Sequence, residues 1–168
     1  MWFKLGIFLT AVALFSQISA FEIGKKGKSF THDNVLWQPV EYVDKDVGFK
    51  ASIPGVPNSG LANEFVYSGS VYDGVTYEVH SNLKTRFAPP TKKSDFLILL
   101  KQSFPKDVEV VLIPTTKKNV LYLAEIRFSK EEKLARIYCS KNQLYWAIVQ
   151  GDDFSLAPYF FDSVQITK

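Results

Sequence analysis

The sequence predicts an α+β fold, with an antiparallel sheet of about eight strands and two helices packed on it. First, strand-like segments follow one another between residues 107 and 151 and are separated only by short polar turns, which is typical of antiparallel neighbours. Second, Asp73-Gly74 lies between two runs of aromatic and β-branched residues, a pattern that favours a hairpin. Third, two segments, 94–104 and 155–163, have helical features. Together these observations indicate one domain over residues 35–168.

Residues 1–20 have the features of a secretory signal peptide. Lys4 gives a positive start, residues 5–15 form an uncharged apolar core, and Ser19-Ala20 give a small-residue exit. The apolar core is short for a membrane crossing, which needs about 20 residues. We therefore expect export to the periplasm or the medium, with no stable membrane span after cleavage. An uncleaved anchor is the alternative.

The first part of the remaining chain is predicted to pass from a flexible segment into strands. Residues 21–34 are polar with no sustained periodicity, which indicates a flexible N-terminal segment. Strand patterns follow at residues 35–42 and 49–53. Because proline cannot donate to a sheet ladder, the turn Pro54-Gly55-Val56-Pro57 is expected to end the second strand and lead the chain around the sheet edge.

The predicted hairpin has one apolar and one polar face on its second arm. Its alternating residues are Val75, Tyr77 and Val79 on one side and Thr76, Glu78 and His80 on the other, predicted to face solvent. Residues 83–93, which contain Pro89-Pro90, break the pattern. They are predicted to form the longest exposed connection.

The two predicted helices each have a serine at a plausible N-cap. Ser94 opens the first helix, Pro105 ends it, and its apolar face is made of Phe96, Leu99, Leu100 and Phe104. The second helix opens at Ser155 with Pro158 in its first turn, where a missing N–H is tolerated. A short strand at 164–166 closes the chain.

The segments 107–115, 120–129, 133–140 and 144–151 are predicted to form a meander. The first is apolar on both alternations, which predicts a central strand. Antiparallel pairing is expected to place Glu125 and Arg127 near Lys133 and Arg136. Such exposed pairs contribute at most about 1 kcal/mol and mainly guide register.

The order of these elements resembles a known family of folds. An opener of the form GF-x-x-x-x-P-G-x-P, here Gly48-Phe49 with Pro54-Gly55-Val56-Pro57, and a closing FF-x-S helix, here Phe160 to Ser163, are similar to small exported bacterial domains of the Mog1/PsbP-like α–β–α sandwich. The chain also resembles small exported envelope proteins of chlamydiae. The resemblance covers most of residues 35–167 and implies a non-catalytic module that assembles with or regulates other proteins.

Composition argues against several kinds of function. The formal net charge is only +3 and the basic residues are scattered, unlike those of a nucleic-acid binder. The single cysteine, Cys139, excludes an internal disulfide. Its alternation with Ala135 and Ile137 favours a buried thiol, and an intermolecular disulfide is the alternative.

The sequence contains no recognisable catalytic or cofactor motif. Its histidines are His32, in the predicted flexible segment, and His80, on a polar strand face. One cysteine and two histidines do not provide the ligands of a structural zinc site. Phosphate and dinucleotide motifs are missing from the sequence. We therefore predict a non-enzyme without a cofactor.

The leading hypothesis is an exported, non-catalytic protein-interaction or assembly module of the bacterial envelope. Strands 120–129 and 144–150 carry apolar residues on both faces, and a face left uncovered is able to bind an envelope or extracellular partner protein. The candidate partner-binding residues are Pro54, Val56, Pro57, Arg86, Phe87, Lys92 and Lys93.

Two alternatives remain open at the level of the sequence. A carrier of a lipid or another small apolar ligand requires a cavity of several hundred Å³ between the sheet and helix 94–104. A hydrolase requires His80 near a nucleophile and a carboxylate.

Overall fold

The computed structural model describes residues 30–32, 35–37, 40–44, 48–55, 58–62, 65–82 and 88–168. The predicted signal peptide lies outside these residues. The elements, in chain order, are β1 (Phe30–His32), β2 (Val35–Trp37), β3 (Val40–Asp44), β4 (Phe49–Ile53), β5 (Asn58–Ala62), β6 (Phe65–Tyr72), β7 (Val75–Asn82), α1 (Lys93–Ser103), β8 (Val108–Ile113), β9 (Tyr122–Phe128), β10 (Lys133–Cys139), β11 (Leu144–Gln150), α2 (Ala157–Ser163) and β12 (Gln165–Ile166).

The α+β class, the antiparallel pairing and the two helices are confirmed, but a single sheet of about eight strands is wrong. The described strands form a large sheet of seven in the order β5-β6-β7-β11-β10-β9-β8, a small sheet of three in the order β12-β4-β3, and the pair β1-β2. The small sheet is separate because Phe49, Ala51 and Ile53 are buried against a face of the large sheet. Strand β4 therefore packs on the large sheet instead of extending it.

The meander from β8 to β11 is confirmed, since consecutive strands are neighbours in the large sheet. The prediction that its first strand is central is wrong, because β8 lies at the edge. Strand β8 carries apolar residues on both of its faces, and their environments differ. Val108, Val110 and Leu112 pack against the core beneath α1, whereas Val111 points to the other face and is 38% exposed.

The hairpin β6-β7 is also confirmed. Asp73 and Gly74 have positive φ values of 50° and 77°, as a tight turn between twisted strands requires. The second arm buries Val75, Tyr77 and Val79 as predicted. Its other face is half-buried, so the prediction that His80 and its neighbours face solvent is wrong.

The helices form near the predicted positions with different N-termini. Helix α1 begins after Lys92, which makes no side-chain capping bond, and Ser94 donates to Asp95 Oδ1 within the first turn. Helix α2 begins after Leu156. Ser155 instead bonds the Asp153 carboxylate through its N–H and hydroxyl. Burial of the apolar faces, not serine capping, therefore positions these short helices.

Two short strands fall in segments where no strand was predicted. Strand β1 lies within the predicted flexible segment 21–34, and β5 directly follows the predicted turn Pro54-Gly55-Val56-Pro57, where no element was predicted. Strand β1 pairs with β2 over three residues, and β5 pairs with β6 over five. Backbone pairing of this length needs no hydrophobic alternation, which explains why periodicity missed both.

The large sheet has a core on each face. On one face, β4, β12 and α2 pack over the buried side chains of β7, β10 and β11. Helix α2 is fixed there by Phe160, whose ring centroid lies 5.6 Å from that of Tyr77, and by the Tyr138 hydroxyl, which donates to Phe161 O at 2.7 Å. On the other face, Phe96 and Leu100 of α1 pack over β9 and β10. No helix in the described part of the chain is long and apolar enough to cross a bilayer.

Replacing Phe96 with alanine is expected to lower the free energy of unfolding by about 3–5 kcal/mol. Phe96 is fully buried and its ring stacks on Tyr122 with centroids 5.6 Å apart, so its removal leaves a cavity. Ile98→Ala in the same helix is the matched control, because Ile98 is exposed and its loss should change stability by less than about 1 kcal/mol. Urea denaturation of both variants measures the difference; equal losses would contradict the described packing of α1.

Candidate interaction surface

The residues that the sequence selected for partner binding are in different settings. Pro54 is buried, and its carbonyl accepts a hydrogen bond from the Ser70 hydroxyl. Its position therefore serves the turn after β4, and its side chain is not presented to a partner. Lys92 and Lys93 are exposed at the start of α1. Val56, Pro57, Arg86 and Phe87 lie outside the described residues.

The connection that leads into α1 is fixed to the sheet. The Tyr122 hydroxyl donates to Thr91 O at 2.8 Å, and Cys139 Sγ lies 3.5 Å from Pro90 O. Pro89 and Pro90 are half-buried. The described part of the predicted exposed connection is thus held against the sheet, and the two lysines project from its end.

The two side chains considered for catalysis, His80 and Cys139, are both described by the structure. His80 Nε2 lies 2.8 Å from Glu78 Oε2, and both residues belong to β7. Cys139 is fully buried, and burial raises its pKa to about 11, so the thiol stays protonated at neutral pH. Within the part of the chain that the structure describes, no group of three or more His, Cys, Asp and Glu residues is placed to hold a metal ion.

Cys139 is expected to react slowly with a thiol reagent in the folded protein. Its burial both blocks access and disfavours the nucleophilic thiolate. Native protein at pH 8 should therefore be labelled at least tenfold more slowly than the same protein in denaturing urea. Equal labelling rates, followed by mass spectrometry, would contradict the burial and would favour the intermolecular disulfide.

Charged residues meet on the face of β9 and β10 that lies away from α1. Arg127 donates to Glu125 Oε1 from Nε and Nη2 at 2.9 and 2.8 Å. Arg136 Nε donates to Glu125 Oε2 at 3.1 Å, and its Nη1 donates to Asp162 Oδ1 at 2.9 Å. The Arg136 guanidinium also lies 4.9 Å from the Phe161 ring centroid. We call Glu125, Arg127, Arg136 and Asp162 the arginine–carboxylate network; it joins α2 to the sheet.

The sequence predicted part of this network. Glu125 stands directly opposite Arg136, as antiparallel pairing suggested. Lys133 was also expected there, but it pairs with Phe128 and therefore lies on the opposite face. The predicted solvent exposure is wrong as well, because Glu125 is only 8% exposed. Asp162 was missed because it reaches the network from α2, which is distant in the sequence.

Replacing Glu125 with glutamine is expected to lower the free energy of unfolding by about 1–3 kcal/mol, because it removes the charge that two guanidinium groups share. Glu109→Gln is the matched control. Glu109 meets the same Arg127 at 3.7 Å, and both of these side chains are well exposed, so its loss should cost less than about 1 kcal/mol. Similar losses in thermal and urea unfolding would show that the network is not a stabilising unit.

The turn between β8 and β9 holds the C-terminal segment. Lys117 Nζ donates to Asp162 O and Val164 O at 2.6 and 3.0 Å, and Asn119 Nδ2 donates to Ile166 O at 3.0 Å. Burial lowers the pKa of Lys117, and Asp162 opposes that shift. These bonds satisfy carbonyls at the end of α2 and in β12.

A cavity of about 440 Å³ lies beside this turn, between residues 117–119 and residues 162 and 165–167. Its lining includes two lysines, an asparagine and an aspartate, which do not suit an apolar ligand. It also does not lie between the sheet and α1, where the carrier hypothesis required a cavity. Its position and chemistry therefore give that hypothesis no support.

The outer edge of β8, which we call the β8 edge, is open among the described residues. Strand β8 pairs with β9 from Val108 to Ile113 without a bulge, and no described strand pairs on its other side. Pro105 and Pro114 flank the strand but do not interrupt it. Glu109 and Val111 are exposed on one face of β8. Proteins usually blunt such edges, so a regular open edge is a candidate site for strand addition.

Comparisons with known proteins do not identify the chain. No protein-family model matches it, and a search of curated proteins finds no significant match. Function is therefore inferred from the geometry above.

Proposed function

We propose that this protein is an exported, non-catalytic interaction module that binds an extended segment of a partner protein along the β8 edge. The observation that carries the proposal is the regular, open strand at the end of the large sheet. An exposed edge gives a partner segment a row of backbone donors and acceptors, which is the basis of recognition by strand addition.

The two faces of β8 define the chemistry of the segment that fits. On the α1 face, Val108, Val110 and Leu112 are only partly buried, and apolar side chains of an added strand would extend that core. On the opposite face, the exposed Glu109 favours a lysine or arginine across from it. The partner segment therefore alternates apolar residues with polar or basic ones.

The strand next to the β8 edge is well ordered for this role. The Glu125 carboxylate joins β9 to β10 through its hydrogen bond with Arg136. Arg127, also on β9, forms ion pairs with both Glu125 and Glu109, and Glu109 belongs to β8. A template that is already ordered saves the entropy cost of ordering it on binding. The network thus supports binding without contributing a reactive group.

Export and the envelope setting are part of the same proposal. They are supported by the signal-peptide pattern of residues 1–20 and by the resemblance to Mog1/PsbP-like exported domains, whose implied role is assembly with other proteins. Cleavage after Ala20 would leave a chain that begins at Phe21. Intact-mass measurement of the protein from the envelope or medium of the producing cells tests this; a full-length cytosolic chain would contradict it.

Photo-cross-linking tests the β8 edge directly. A benzoyl-phenylalanine placed at Val111 is expected to cross-link one reproducible partner protein in the producing cells. The same probe at Val71, which is 68% exposed on β6, is the matched control and should not capture that partner. Mapping of the cross-linked peptide should show an extended segment with alternating apolar and polar or basic residues. Equal capture from both positions would contradict binding at β8.

A charge placed on the edge should then weaken binding. Val111→Lys is expected to reduce the affinity for that partner at least tenfold, because a lysine on an edge strand opposes strand addition and repels a basic segment. Val71→Lys, at a more exposed valine, and the Lys92→Ala/Lys93→Ala pair, at exposed lysines, serve as controls. Unchanged affinity of Val111→Lys would overturn the proposal, and loss in the Lys92/Lys93 variant would place the interface at the start of α1.

A further inference from the structure

The polar cavity beside the turn between β8 and β9 has no part in strand addition at the β8 edge. Its volume of about 440 Å³ lies within the range of about 300–1,000 Å³ that is usual for small-molecule sites. Residues 117–119 of the turn line one wall, and Asp162 with residues 165–167 line the other. The cavity is therefore formed where the turn meets the C-terminal segment.

The lysines of the turn bring hydrogen-bond donors to this space. A lysine ammonium has three N–H groups, and Lys117 uses two of them to donate to Asp162 O and Val164 O. These two bonds fix the ammonium at the cavity, and the third N–H has no acceptor among the described residues. Lys118 is exposed and lines the same cavity. Both lysines are thus placed to donate to a ligand.

The backbone of β12 adds a further donor. Ile166 O accepts from Asn119 Nδ2 at 3.0 Å, whereas the next residue, Thr167, donates its N–H to Gly48 O at 2.8 Å on the other side of the strand. Because the N–H and C=O of one strand residue point to the same side, the Ile166 N–H is directed towards the turn. Ile166 lines the cavity, so its N–H faces the same space as the lysines.

The charges around the cavity favour an anion. Two lysines and one carboxylate, that of Asp162, line it, and Arg136 Nη1 already donates to Asp162 Oδ1 at 2.9 Å. The negative charge of Asp162 is therefore compensated from outside the cavity lining, and the two ammonium groups leave a positive excess. Burial lowers the pKa of Lys117, Asp162 opposes that shift and Arg136 adds to it. A bound anion would stabilise the charged form of Lys117.

We propose that this cavity binds a small hydroxylated molecule that carries an oxyanion, either a phosphate ester or a carboxylate. The oxyanion accepts hydrogen bonds from the ammonium groups of Lys117 and Lys118 and from the Ile166 N–H, and such charge-assisted bonds are strong. Gln165 and Thr167 contribute an amide and a hydroxyl, which both donate and accept and therefore suit the hydroxyl groups of the ligand. The volume of the cavity exceeds that of an inorganic oxyanion, which favours an organic ligand.

NMR titration of the isotope-labelled protein tests the proposal with four probes: glucose 6-phosphate, glucuronate, glucose and inorganic phosphate. At least one of the two charged sugars is expected to bind at least tenfold more tightly than glucose and inorganic phosphate, and to shift the amide signals of Asn119 and Ile166. The tighter of the two identifies the oxyanion. The proposal would be overturned if neither charged sugar binds, if glucose or inorganic phosphate binds as tightly, or if the shifted signals lie away from the cavity.

Lysine variants test which cations hold the oxyanion. Lys118→Ala is expected to weaken binding of the tighter charged sugar at least about fivefold, because it removes one of the two ammonium groups. Lys141→Ala, at an exposed lysine in the turn between β10 and β11, is the matched control and should bind like the wild-type protein. Equal affinities of the two variants would contradict the site. The titrations contain no partner protein, so their outcome is independent of strand addition at β8.

Discussion

The structure depends on covering both faces of one wide sheet with few elements. Strands lie about 4.8 Å apart and a helix is about 10 Å wide, so one helix covers only two or three strands. On one face, side chains of β8, β9, β10 and β11 pack in the core beneath α1. On the other face, β4, β12 and α2 cover β7, β11 and β10. The described cover is therefore displaced towards opposite edges of the sheet on its two faces.

This diagonal arrangement determines where charge occurs. On the face that carries α2, the strands beyond its cover hold Glu125 and Arg127, and Arg136 lies at the boundary against Phe161. On the face that carries α1, the strand beyond its cover holds Glu78 and His80 as a pair. The alternation of β9 and β7 follows from the same constraint: their apolar side chains lie where a neighbouring layer exists, and their paired polar side chains lie where the described layers end.

Sequence patterns predicted the features that depend on neighbouring residues. Asp73-Gly74 specified the hairpin, and the short turns specified the meander. The position of β8 was not predictable in this way, since an edge strand beneath a helix has the same apolar alternation as a central strand. Within the candidate interaction surface, the arginine–carboxylate network was predicted only in part. The pair of Glu125 and Arg136 follows from strand pairing, whereas the position of Asp162 depends on where α2 docks. The sheet face that Lys133 occupies depends on the register between β9 and β10, and pairing of opposite charges alone does not define that register.

The energetics of strand addition explain why side chains must decide which partner binds at β8. In an antiparallel edge, every second residue directs its N–H and C=O outward. Each hydrogen bond formed there contributes about 1 kcal/mol net, while ordering each partner residue costs about 1–2 kcal/mol. The free energy gained from backbone pairing alone is therefore roughly cancelled by the cost of ordering the partner segment. Net affinity has to come from burying the half-exposed Val110 and Leu112 and from matching Glu109, so the alternating side chains of β8 determine both the affinity and the selectivity of its open edge.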